Sequence, residues 1–159
     1  MDERIVDHLK YLNRYYQHLL QVQQKPVQEF VEDDILQAST ERFLQLAIES
    51  CLNIGNRLLA LYQFQKPVSP PVTYAGIFWE LGRIGVFDPE FVQRLEQMAK
   101  FRNRLVHLYW ELDPESVHTI VQDHLNDFKE FEKRVVSFCQ ENPLQLLGTL
   151  ALLEKNFEP

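Results

Sequence analysis

Only two cysteines occur in 159 residues, Cys51 and Cys139. They lack metal-ligand spacing and both fall on apolar helical positions, so buried thiols are expected rather than a metal site or a disulfide. No apolar run approaches the roughly 20 residues that a membrane span needs. The opening MDERIVDHLK is acidic and periodic, the opposite of a secretory signal, and the cytoplasm is the expected compartment. Glycine is scarce and no glycine-rich loop is present to cradle a phosphate. Among the histidines, His118 and His124 are six apart and share no helix face, while His8 and His18 are isolated. Neither a metal nor a cofactor is expected. Repeats, low-complexity tracts and convincing alternating strands are missing too.

What is there is helical. Apolar positions Ile5, Leu9, Leu12, Tyr16, Leu19 and Leu20 mark an amphipathic helix over residues 2 to about 24. Lys25-Pro26 breaks it, and a short turn from Val27 to Glu32 is expected. A second, long helix is predicted from Asp34 to Phe64, with Gly55 inside it as a point where another backbone comes close. The loop KPVSPP follows, then a short helix ending at Gly85. Asp88-Pro89-Glu90 and Asp113-Pro114-Glu115 each combine a capping carboxylate, proline at the first helical position and a further acid at the positive dipole end. The second of these is predicted to start one long helix through Phe138, which Asn142-Pro143 stops. The expected fold class is all-α, an up-and-down helical bundle with an additional short C-terminal helix. Residues 1–142 are read as the bundle domain and 143–159 as a leucine-rich extension, which could dock a partner or cover its own core.

Charge is unevenly spread. The chain carries a formal −7, yet residues 81–110 balance at +2, leaving −9 elsewhere. Within 100–107 stand Lys100, Arg102, Arg104 and His107 with no acid. A small basic island on an acidic body suits one local anionic group, such as a phosphodiester, better than a long duplex. A solvated helix end with cations near its C-terminus is the plainer alternative.

The island interrupts a pattern. Phe91, Leu95, Met98, Arg102, Leu105 and Tyr109 follow helical steps of four, three, four, three and four, so Arg102 stands where leucine is expected. Burying a guanidinium without a partner is costly. An ion pair with a buried acid such as Glu80 is one explanation and an anion ligand is another. His107 lies about 140° around a continuous helix from Arg102. The helix must end before the Asp113-Pro114 start, so Arg102, His107 and Tyr109 can converge near its terminus. By themselves, His107 could be a helix-terminal cation and Tyr109 a core aromatic.

The stretch FRNRLVHLYW resembles the signature of the HEPN superfamily, with Arg102, Asn103, His107 and Tyr109 matching R-x4-H-x-Y in order. The branch it resembles is the HepT-like toxins, paired with an MNT-type nucleotidyltransferase antitoxin. The segments ERFLQLAIESCLNIGNRLLA and GVFDPEFVQRLEQMAKFRNRLVH look like family helices, so the likeness covers about residues 1 to 140. It implies a metal-independent endoribonuclease, with tRNA favoured over mRNA as substrate because an acidic body suits a compact partner engaged at one point. Arg102 and His107 would be catalytic, Asn103 supporting, and Lys100 and Arg104 RNA-binding. RNA cleavage by its own 2′-hydroxyl needs a base, an acid and a cation for the charge building on phosphorus. A homodimer with the arginine stripe at its two-fold would supply two histidines. The resemblance also implies that the antitoxin transfers AMP onto Tyr109, placing a phosphate beside Arg102. A different class stays open, a non-catalytic helical partner subunit of a nucleotidyltransferase.

Overall fold

The computed structural model describes residues 1–144; residues 145–159, with nearly all of the leucine-rich extension and the short helix expected in it, lie outside the described residues. Seven α-helices make up the described chain: α1 (Glu3–Gln23), α2 (Val27–Glu32), α3 (Asp34–Tyr62), α4 (Tyr74–Arg83), α5 (Pro89–His107), α6 (Pro114–His124) and α7 (Asn126–Glu141). The described residues form an all-α bundle.

The capping carboxylates act where the sequence puts them. Asp88 accepts from the Phe91 amide at 2.8 Å to open α5, and Asp113 accepts from the Ser116 amide at 3.1 Å to open α6. Asp33 does the same for α3 through Leu36. Helix α4 ends at Arg83, and two residues on Gly85, with a φ of 92°, lets the Val86 amide reach back to the Leu81 carbonyl at 2.9 Å.

α3 is the central column. It packs along α1 and against α4 and α5, and its buried face carries Leu44, Ile48, Cys51 and Leu58. Gly55 is a point of close packing, but against side chains rather than the backbone expected from sequence: a Cβ there would lie 2.6 Å from Ile77 Cγ2 of α4 and 3.0 Å from Leu81 Cδ1. Only a bare backbone lets α4 sit this close. Cys51 is buried and free, whereas Cys139, also free, is only partly buried.

Two segments differ from expectation. The turn at 27–32 is the helix α2, anchored by Phe30, which is fully buried, and by Gln37, which donates to the carbonyls of Phe30 and Val31. The single long helix after Asp113 is two helices. At Leu125 the dihedrals stay helical (φ −61°, ψ −30°), but hydrogen bonding tightens to Phe128 N–H to Leu125 C=O, 3.1 Å.

Candidate active site

α5 ends at His107. Leu108 leaves the helical region (φ −135°, ψ 31°), and Tyr109–Glu111 form a separate 3-10 turn. Arg104 and His107 occupy the last turn, where cations meet the negative dipole end. Along α5 the apolar stripe faces inward: Leu95 is fully buried, Leu105 nearly so, and Met98 packs partly buried against the core. Leu95 and Leu105 of the stripe are thus taken up by the core of the single chain, where α5 packs against α3 and α4.

Arg102 lies within this buried setting, its side chain 14% exposed. Its partner is Glu49 of α3, with Nη2 donating to Oε1 at 3.1 Å. Glu80, the acid considered from sequence, instead pairs with Arg83 at 2.7 Å and accepts from the Ser69 amide at 3.0 Å. The guanidinium also sits 4.6 Å from the centroid of the Tyr74 ring, a cation–π contact. Its Nε is buried without a hydrogen-bond partner. An arginine at an apolar position is thus accommodated by one carboxylate and one aromatic face, with donor capacity left over.

Tyr74 leads into the cleft. Asn103 and His107, four residues apart on one face of α5, line an open cleft of about 650 Å3 with Tyr74, Thr73, Val72, Pro71, Ile77 and Asn56. Thr73 is held by its own cap, Oγ1 accepting from the Gly76 amide at 3.0 Å. His107 is exposed and Tyr74 is 41% exposed, and the Tyr74 residue that lines the cleft also carries the guanidinium against its ring.

The other candidates separate. Tyr109 does not share Arg102's face, because the helix on which that spacing depends stops two residues earlier; it is 60% exposed beside Trp110, ring centroids 5.2 Å apart. Lys100 and Arg104 line a second cleft on the opposite flank of α5, with Met98, Phe101 and Ile120. Glu49, Asn56, Thr73 and Tyr74 went unnoticed in the sequence. The one signal was Glu49, an acid beside buried Ile48 and Ser50 in an otherwise apolar run. Among the described residues no helix is long and apolar enough to cross a membrane, and no three His, Cys, Asp or Glu side chains are grouped to hold a metal ion.

The geometry can be set beside known proteins. The chain is 26% identical over 130 residues to the tRNA nuclease HepT of Aphanizomenon flos-aquae, covering 82% of this chain and 86% of that one. It is 29% identical over 131 residues to the mRNA nuclease HepT of Shewanella oneidensis, covering 82% and 95%. Among solved structures, the tri-AMPylated HEPN toxin of Shewanella oneidensis in complex with MNT antitoxin is similar with a TM-score of 0.77 at 27% identity, over 86% of this chain and 99% of that one. A toxin–antitoxin complex with AMP-PNP gives 0.76, also at 27% identity, over 85% and 99%. The family model described as ribonuclease HepT-like matches residues 7–135, and on that match the chain belongs to the HepT-like ribonuclease family.

Proposed function

We propose that this chain is the toxin of a toxin–antitoxin pair, a metal-independent endoribonuclease in which Arg102 and His107 act at a cleft shared by two copies. The observation that carries this reading is the convergence on one open cleft of His107, Asn103 and the Tyr74 ring, with the Arg102 guanidinium packed against that ring. A cleft of this kind admits a single-stranded phosphodiester. His107 takes the proton from the 2′-hydroxyl as that oxygen attacks phosphorus, and the second copy's histidine protonates the departing 5′-oxygen. Arg102 stabilises the charge growing on the phosphoryl oxygens through the donors that Glu49 does not occupy. Asn103 is placed to orient the phosphate or the imidazole.

With Leu95 and Leu105 buried, the proposed two-fold lies beside the stripe rather than on those two residues. Tyr74, Trp79 and Trp110 expose 41%, 48% and 66% of their surface, and a second copy would cover such rings. Residues 1–142 form the catalytic domain and 143–159 an extension. tRNA is the favoured substrate over mRNA, as the acidic body suits a compact partner touched at one point; the named relatives include one nuclease for each.

Control is proposed to come from an MNT-type nucleotidyltransferase that attaches AMP to Tyr109. The relative solved with MNT antitoxin is tri-AMPylated, and Tyr109 offers an exposed hydroxyl two residues beyond His107. The adduct then blocks RNA by volume and charge at the approach to the histidine, rather than by ligating Arg102 along one helix face. Purified protein incubated with total RNA in EDTA, with cleaved ends mapped, tests the reading. Discrete ends are expected; intact RNA would favour the non-catalytic partner subunit.

A further inference from the structure

α5 forms an exposed ridge between two clefts. Asn103 and His107 face one of them. On the opposite flank a cavity of about 280 Å3 opens between α3, α5 and α6. Its floor is apolar, built by Leu44 and Ile48 of α3, Met98 and Phe101 of α5, and Ile120 of α6. Its rim is cationic, with Arg94, Lys100 and Arg104. The one acid there, Asp127, is already engaged by Arg94 at 3.1 Å and faces His124 at 3.8 Å. Exposed Lys100 pairs with half-buried Glu96 at 3.2 Å, and Arg104 joins none of the ion pairs of the described residues.

We infer that this second cavity is a subsite for RNA: it receives the base of a nucleotide flanking the cut, while Arg104 and Lys100 hold that nucleotide's phosphate. The inference rests on the ribonuclease reading and extends it to substrate recognition. An apolar floor with a half-buried phenylalanine accepts the flat face of any base, and cations at the mouth accept the backbone, the pairing by which single strands are bound without sequence readout. Register supports one ligand across both clefts. Arg104 is three residues before His107 and four after Lys100, spacings that put neighbouring side chains about 5–6 Å apart on a helix surface. A strand crossing the ridge therefore meets Lys100, Arg104 and the His107 cleft in succession. On a chain with net charge −7, a rim whose three cations meet only two acids, Asp127 and Glu96, keeps a local positive excess at Arg104 that favours an anion.

Cleavage kinetics on two RNAs test the subsite, one little longer than the scissile link and one extended by several nucleotides on both sides. Ile120→Trp fills the cavity and Arg104→Ala removes the unpaired cation. Each should raise KM for the longer RNA about tenfold while kcat stays within about twofold, the loss expected for one stacked base. KM for the short RNA should not move. Should Ile120→Trp lower the melting temperature, Arg104→Ala, at an exposed position, decides the matter. A longer RNA carrying 4-thiouridine should crosslink to the segment holding Met98 and Phe101. Unchanged KM for the longer RNA, or equal rises for both RNAs, overturns the subsite alone. So does an Arg104→Ala variant that loses antitoxin binding but keeps its KM. Wild-type protein that cuts neither RNA overturns the ribonuclease reading and this inference together.

Discussion

Arg102 Nη2 and Gln45 Nε2 both donate to one oxygen of Glu49, at 3.1 Å and 3.0 Å. Glu49 thus shares its charge between a neighbour on its own helix and the guanidinium of α5. A phosphate bound by the remaining donors of Arg102, as proposed, would lie near this carboxylate, whose negative charge would oppose it.

Glu49→Gln keeps the size and an acceptor oxygen but removes that competing charge. RNA affinity, measured by fluorescence anisotropy in a His107→Ala background, should rise by about threefold, while stability falls by about 1 kcal/mol as a partly buried ion pair becomes a neutral hydrogen bond. Weaker binding would show instead that the carboxylate is what aims the guanidinium.

Arg102→Ala and His107→Ala should each reduce RNA cleavage by about 10²–10⁴-fold, the usual cost of losing a placed acid–base or charge-stabilising group. Their effects on folding should differ. His107 is exposed, so its variant should melt like wild type, whereas Arg102→Ala removes packing from Tyr74 and leaves Glu49 without its cation. Cleavage should persist in EDTA; strict dependence on a divalent ion would refute the proposed chemistry.

Tyr109→Phe should be refractory to AMP transfer by a cognate nucleotidyltransferase and should retain RNA cleavage. Intact-protein mass spectrometry checks the first and end mapping the second. A mass increase that maps to another residue would remove Tyr109 from the control scheme.

Gly55→Ala should destabilise the bundle. The new Cβ would stand 2.6 Å from Ile77 Cγ2, a stiff branched side chain that is itself 3% exposed. Overpacking of this kind costs about 1–3 kcal/mol, against roughly 1 kcal/mol gained in helix propensity. Thermal melting should show a drop of several degrees; an unchanged or higher midpoint would mean that α4 can slide away from α3.

Acid stability should depend on Asp88. The Phe91 amide, and then the Arg134 guanidinium, hold its carboxyl below the ordinary aspartate range. A carboxylate with a depressed folded pKa contributes stability at pH values above its unfolded pKa, about 3.9, and that contribution fades as pH falls through the lower folded value. Asp88→Asn keeps an N-cap acceptor but removes the titration. Its unfolding free energy should therefore fall less than that of wild type as pH drops below about 4, measured by denaturant titration. Parallel curves would assign acid sensitivity to other carboxylates.

Local signals carried most of the fold. The capping aspartates, Pro89, Pro114 and the period of α1, α3 and α5 all lie within one or two turns of the residues they organise, so they can be read from the chain itself. Helix α2 could not be, since six residues give too little period, and Phe30 is buried only because other helices cover it. The site divides along the same line. Asn103 and His107 share a cleft by simple helical spacing, whereas the partner of Arg102 lies 53 residues away on α3 and no spacing rule finds it. Tyr109 was misplaced because one non-helical residue, Leu108, cancels the seven-residue rule.

That residue has a further consequence. With α5 closed at Leu108, the Tyr109 hydroxyl belongs to a short exposed turn and to no packed layer. A group attached there extends into solvent and displaces no core side chain. Under the proposed control by Tyr109, a blocked chain should therefore unfold and resist proteases as the active one does.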